Sequence, residues 1–103
     1  MLNAGYHAVP PKMIATVVTS LEMLELPTLR PEAPGQNWRL DRLAPDPTEY
    51  RRLYRVVGED WLWFSRLLLT DAELAAIIGS ADVEVYKLTD NGNGAGLLEL
   101  DFR

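Results

Sequence analysis

Acidic, aromatic and cationic side chains are concentrated between residues 59 and 66, the densest run of potential ligand contacts in this 103-residue chain. Carboxylates in such a stretch could attract an amine, and the aromatic rings beside them could form a pocket wall. The candidate substrate contacts are Glu59, Asp60, Trp61, Trp63, Phe64 and Arg66.

The aromatic residues of this stretch could instead pack in the core. Removing one large apolar side chain from water contributes about 1.5–3 kcal/mol, and a small domain needs such burial. For Trp61, Trp63 and Phe64 we therefore favour core packing over ligand contact.

Other patterns that could carry chemistry are sparse. His7 is the single histidine and has no cysteine or second histidine to share a metal ion, so we expect no metal site. Ser65 has no histidine at a spacing that suggests a hydrolytic triad. Glu99 and Asp101 share one face of a strand and could be paired carboxylates in a cleft, or could solvate an outer face; we favour solvation. No catalytic residue is assigned.

The composition limits the class of protein. The formal net charge of −5 and the pI near 4.7 argue against a nucleic-acid partner, because phosphate binding needs clustered cations. No apolar run approaches the length of a membrane span. Cysteine is absent, which fits a reducing compartment. We expect one domain over residues 1–103, in the cytoplasm, without nucleic-acid or membrane contacts.

Two strands are predicted in the first half of the chain. Ala15–Met23 is rich in β-branched residues that alternate between two faces. Prolines and glycines then predict an irregular connector, and Trp38–Leu43 partly alternates and is the second strand.

Helix-start signals dominate the middle of the chain. Asp46 and Pro47 predict a helix whose buried stripe follows i, i+3, i+4, i+7 spacing, namely Tyr50, Leu53, Tyr54 and Val57. Gly58 is predicted to be its left-handed cap, and a short helix is expected to begin at Asp60.

A capping box at Thr70 to Glu73 predicts a third helix over Asp71–Ile78 that ends at Gly79. Its expected buried residues are Leu74, Ile77 and Ile78.

The last part predicts a β-hairpin. Val83–Leu88 and Gly96–Arg103 are the strands, and the loop Thr89–Ala95 contains a strong Asn-Gly turn signal. We expect Leu98, Leu100 and Phe102 to face inward and Glu99, Asp101 and Arg103 outward. The predicted fold is α+β, a mostly antiparallel sheet covered by two to three helices.

Four segments carry a resemblance to a known family. They are GEDWLWFSR at 58–66, TDAEL at 70–74, VEVY at 83–86 and GLLELDFR at 96–103. In this order they resemble the N-terminal half of bacterial GNAT-type N-acetyltransferases, and the likeness covers most of the chain from Val17 onward. It implies a partial GNAT-like fold in which the aromatic segment shapes a pocket for a small-molecule amine acceptor.

The sequence departs from that family at the cofactor site. The family binds acetyl-CoA through an Arg or Gln followed by x-x-Gly-x-Gly or Ala at a helix N-terminus, where backbone amides bind the pyrophosphate. This run does not occur here. The resemblance thus implies acetyl-CoA as the family's cofactor, while this chain is expected to be a truncated acceptor-side half that is inactive alone.

A second hypothesis is a non-catalytic, self-associating module that binds a ligand or a protein. In the family, another strand lies beside the one formed by Gly96–Arg103. Without it, that strand is an unpaired edge that recruits another chain. We therefore expect a homo-oligomer, a dimer paired through Gly96–Arg103, or burial of that edge by the proline-rich segment between Pro27 and Gly35.

Overall fold

A computed structural model describes residues 3–32 and 37–103 of the chain, with the backbone alone at Ala95. The chain forms two units, Met1–Pro31 and Glu32–Arg103. The second unit contains a three-stranded antiparallel sheet and two α-helices, so the predicted α+β class is confirmed.

The predicted strand over Ala15–Met23 is wrong. Residues 3–31 form no helix or strand, and their side chains are exposed. The backbone hydrogen bond described there, from the amide of Met13 to the carbonyl of Pro10 at 3.1 Å, closes a turn. Alternating β-branched residues favour an extended backbone, but a strand also needs a neighbouring strand for its hydrogen bonds.

The sheet consists of β1 (Trp38–Leu43), β2 (Val83–Asp90) and β3 (Asn93–Asp101), in the order β1-β2-β3. Both pairings are antiparallel. The prediction of a strand over residues 38–43 is confirmed. β2 is the central strand, and its helix-facing row includes Val83, Val85 and Thr89, all buried.

The hairpin loop is shorter than the sequence predicted. β2 and β3 extend until only Asn91 and Gly92 separate them, with φ values of 49° and 84°. Two consecutive positive φ values are typical of a type I′ turn, whose twist matches the flanking strands.

The first helix, α1 (Pro47–Gly58), begins as predicted. The Asp46 side chain accepts from the Glu49 amide at 2.8 Å, and the Glu49 side chain accepts from the Asp46 amide at 3.4 Å. Of the predicted stripe, Tyr50 is fully buried and Tyr54 is buried with 7% of its surface exposed.

Gly58 has a different role from the predicted left-handed cap. Its φ is −110°, and a Cβ placed there would lie 2.5–2.6 Å from atoms of Trp63. Glycine is required because the Trp63 side chain packs directly on this backbone. The left-handed residue is Leu62, with φ of 57°. It lies between two short 3-10 turns, Glu59–Trp61 and Ser65–Leu68, and residues 59–68 together form the bend after α1.

The second helix, α2 (Asp71–Ile78), is closed by the predicted capping box between Thr70 and Glu73. The Arg51 guanidinium ties the helices together, since it pairs with the Asp71 carboxylate and donates to the Leu69 carbonyl at 2.8 Å. The buried core joins both helices to β2 and comprises Tyr50, Tyr54, Leu74, Ile78, Val83 and Val85.

The predicted facing of β3 is wrong. Glu99 lies opposite Val85 and contacts residues on the helix side, whereas Leu98 is 41% exposed on the other face. Phe102, just beyond the strand, is 68% exposed. The alternation in the sequence shows correctly which residues of β3 share a face. It does not show which face the helices cover, and they cover the face that carries Glu99.

Substituting Gly58→Ala should destabilise the protein by about 1–3 kcal/mol, the usual cost of forcing extra atoms into a packed site. Alanine gains up to about 1 kcal/mol of helix propensity, less than this clash. Chemical unfolding of wild type, Gly58→Ala, Trp63→Ala and the double variant measures the coupling. The double variant should be more stable than the sum of the single effects predicts; strict additivity would contradict a Gly58–Trp63 clash.

Candidate functional site

An open pocket of about 430 Å³ lies between α1, the bend after it and β3. Aromatic, apolar and charged side chains line it: Tyr50, Tyr54, Trp63, Ser65, Arg66, Leu97 and Glu99. Its volume falls at the lower end of the range for small-molecule sites. A ligand of modest size could therefore contact rings and an ion pair together.

The Glu99 carboxylate is the central polar group of the pocket. Its Oε2 accepts from the Tyr50 hydroxyl at 2.6 Å, and its Oε1 accepts from Nη2 of Arg66. The Glu99 and Arg66 side chains are 16% and 23% exposed. A carboxylate this desolvated needs charged and hydrogen-bonding partners, and α1 and the bend each supply one.

Aromatic rings form the wall beside this ion pair. The Tyr50 and Tyr54 rings stack with centroids 5.9 Å apart, and the Tyr54 and Trp63 rings lie 5.5 Å apart with a 53° tilt. The Tyr54 hydroxyl lies 3.1 Å from Oγ of Ser65. The serine therefore belongs to a hydroxyl pair in the pocket wall.

The local environment shifts two ionisation equilibria. Burial raises the pKa of Tyr50 well above its ordinary value, and the hydrogen bond and charge of Glu99 add to the effect. Burial alone would lower the pKa of Arg66, but the hydrogen bond and charge of Glu99 outweigh it and raise that pKa. The phenol therefore stays a donor and the guanidinium stays a cation at neutral pH.

Of the six residues singled out from the sequence, Trp63 and Arg66 line the pocket. The other four, Glu59, Asp60, Trp61 and Phe64, are exposed and lie outside its lining.

The favoured core role of the aromatic stretch is wrong. Trp61, Trp63 and Phe64 are 76%, 41% and 63% exposed. The left-handed bend at Leu62 turns the stretch along the surface, and Trp63 packs against Gly58 and Tyr54 there.

Five residues of the pocket lining, Tyr50, Tyr54, Ser65, Leu97 and Glu99, are not among the substrate contacts predicted from the sequence. Tyr50 and Tyr54 were recognised as a buried stripe, but nothing local indicated that their hydroxyls point at polar partners. The favoured prediction that Glu99 solvates an outer face is wrong, because its side chain is only 16% exposed in the pocket, and Leu97 lies in the same helix-facing row of β3. An acidic residue between apolar neighbours in 96–100 was the available signal.

The described residues do not fit the pyrophosphate of acetyl-CoA. The first turns of α1 and α2 are closed by the capping boxes of Asp46 with Glu49 and of Thr70 with Glu73. The negative charges of Asp46, Glu49 and Glu73 lie at the two helix N-termini, where a phosphate would have to bind, and would repel it. Gly92 and Gly94 lie in the β-hairpin and are followed by a strand, so they do not form a glycine-rich phosphate loop before a helix.

In residues 3–32 and 37–103, no group of three His, Cys, Asp or Glu side chains is arranged to hold a metal ion. His7 is exposed, and its Nε2 lies 2.6 Å from the Asn3 carbonyl. No helix in the described part of the chain is long and apolar enough to cross a membrane.

Comparison of the chain with protein-family models, curated proteins and solved structures finds no match.

Substituting Tyr50→Phe should remove one partner of Glu99 and lower stability at pH 7 by about 1–3 kcal/mol. It should also change the alkaline response. In wild type, the unfolded chain loses the Tyr50 proton near its ordinary pKa of 10.0, while the folded state retains it. Stability is therefore full below about pH 10 and is lost as pH rises toward the folded pKa.

Urea unfolding at several pH values from 7 to 11 measures both effects. Tyr50→Phe should lack the part of the stability loss above about pH 10 that comes from ionisation of Tyr50 in the unfolded chain. Tyr6→Phe is the control, because the Tyr6 side chain is fully exposed at 108%, so this variant should keep the alkaline loss of wild type. An alkaline loss in Tyr50→Phe equal to that of wild type would refute the proposed protonation of Tyr50.

Proposed function

We propose that the unit Glu32–Arg103 is the acceptor-side part of a GNAT-type N-acetyltransferase and binds an amine in the Glu99 pocket. The observation that carries the proposal is a half-buried carboxylate at the wall of a pocket lined by aromatic rings. The unit has the order strand, two helices, antiparallel hairpin. This order supports the proposal, because the N-terminal half of the family that the sequence resembles has a first strand, two helices and an antiparallel hairpin.

The Glu99 carboxylate retains capacity for a ligand. Each carboxylate oxygen has two lone pairs, and each accepts one hydrogen bond from a described residue. An ammonium group could therefore donate to Glu99 while Tyr50 and Arg66 hold its side chain in place. The Trp63 ring beside it would attract the same cation through its negative face.

Acetyl transfer would need acetyl-CoA, which the described residues do not fit. We therefore assign amine binding to this chain and expect no turnover of acetyl-CoA by the purified polypeptide. The cytoplasmic location inferred from the absence of cysteine stays a prediction.

Titration with 3-methylbutylamine should produce saturable binding that 3-methylbutan-1-ol, an uncharged analogue of similar shape, does not. Trp63→Ala should weaken amine binding about two- to fivefold, the effect of a cation–ring contact that stays open to solvent. Trp61→Ala is the matched control, because Trp61 lies outside the pocket lining and should leave affinity unchanged.

Calorimetry at pH 7 measures these affinities. A thermal shift assay with acetyl-CoA should show no stabilisation of the same polypeptide. Equal binding of the amine and the alcohol would contradict the assignment of Glu99, and acetyl-CoA turnover would contradict the acceptor-side assignment.

Self-association through β3 is a second candidate function, favoured by the character of the two sheet edges. In the described unit, β1 and β3 each pair with β2 alone. β1 carries Arg39, Asp41 and Arg42, charges of the kind that discourage edge pairing, whereas β3 is largely apolar from Gly96 to Leu98. We propose that a second copy pairs with β3.

Sedimentation analysis should reveal a concentration-dependent dimer in which amides of residues 96–103 exchange slowly. Leu98→Lys should shift the equilibrium to monomer, because a charge on the edge strand opposes pairing. Leu40→Lys is the control, because Leu40 is 49% exposed on the opposite edge strand. A monomer with fast exchange along residues 96–103 would sink this candidate.

A further inference from the structure

The pocket carries two opposite charges side by side rather than a lone carboxylate. The Glu99 carboxylate and the Arg66 guanidinium are in direct contact, and both line the pocket. Their charges cancel, so a ligand with only an ammonium group gains attraction from Glu99 and repulsion from Arg66. A ligand that presents both signs of charge avoids this conflict.

We propose that the acceptor is a zwitterionic α-amino acid with a small apolar side chain. Its ammonium group donates to Glu99, and its carboxylate accepts from Arg66. This inference rests on the proposed function, since it specifies the amine that the same pocket takes.

The hydrogen-bonding capacity of the ion pair fits this ligand. A guanidinium has five N–H donors, and in the hydrogen bonds among described residues Arg66 uses Nη2 toward Glu99. Donors therefore remain for a ligand carboxylate, which a guanidinium binds with good geometry.

The contact between the two charges limits the spacing in the ligand. An α-amino acid holds its ammonium and carboxylate on one carbon atom, so the two groups can reach adjacent partners at the same time. An amino acid whose charges lie at opposite ends of a chain cannot reach both without folding back, which costs conformational entropy.

The remaining lining suits an apolar side chain. Trp63, Tyr54 and Leu97 supply rings and an aliphatic surface beside the ion pair. The volume of about 430 Å³ accommodates a compact ligand, and the opening to solvent leaves the amino group approachable.

Calorimetry at pH 7 with four related probes tests the inference on the intact polypeptide. L-leucine has both charges, 3-methylbutylamine lacks the carboxylate, 4-methylpentanoate lacks the amine, and 6-aminohexanoate is an isomer of leucine with its charges at opposite ends. L-leucine should bind at least tenfold more tightly than each of the other three, because it alone satisfies both members of the ion pair.

Variants of Arg66 and Glu99 test which charged group of the ligand each of these two residues binds. Arg66→Gln should abolish the advantage of L-leucine over 3-methylbutylamine, and Glu99→Gln should abolish its advantage over 4-methylpentanoate. Arg42→Gln is the matched control, because it breaks an ion pair with Glu84 outside the pocket and should leave the ranking unchanged. If either pocket variant fails to fold by circular dichroism, the ranking of the four probes by wild type decides.

The outcomes separate this inference from the proposed function. If 3-methylbutylamine or 6-aminohexanoate binds as tightly as L-leucine, the α-amino-acid inference is overturned while the amine site stands. If 4-methylpentanoate alone binds, or no probe binds, the amine site itself is overturned.

Discussion

The Glu99 carboxylate lies on the helix side of an antiparallel sheet, in a row whose neighbour on β2 is the buried Val85. A carboxylate in that position loses most of its hydration. It is stable there only because neighbouring residues donate hydrogen bonds and supply a positive charge. Tyr50 supplies one bond from α1, and Arg66 supplies the charge from the bend. The helix, the bend and β3 are thus fixed to one another by a single side chain.

The path of the bend follows from this requirement. The close contact of Trp63 with Gly58 brings the chain back beside the end of α1, and the left-handed Leu62 reverses its direction. The amide of Trp63 donates to the Gly58 carbonyl at 3.0 Å, which holds the reversal. Arg66 then reaches Glu99 from the following 3-10 turn. The aromatic stretch therefore positions the ion pair and forms one wall of the pocket.

Local chemistry made part of this architecture predictable. The capping boxes at Asp46 and Thr70 and the Asn-Gly turn involve residues close in sequence, and the structure places helices and hairpin accordingly. The facing of β3 and the strand expected over Ala15–Met23 depend on what lies beside them, which alternation does not encode. For the same reason the sequence singles out Arg66 and Trp63 as site residues but does not indicate that Glu99 lies beside them in the fold.

The measurement that tests the amine pocket most directly is a two-dimensional amide NMR titration of the isotopically labelled chain with L-leucine. We expect saturable shifts concentrated at residues 63–66 and 97–99 and in the first turns of α1 around Tyr50. Shifts confined to residues outside these segments, such as β1 or residues 101–103, would contradict a ligand site at Glu99, as would a spectrum that does not change.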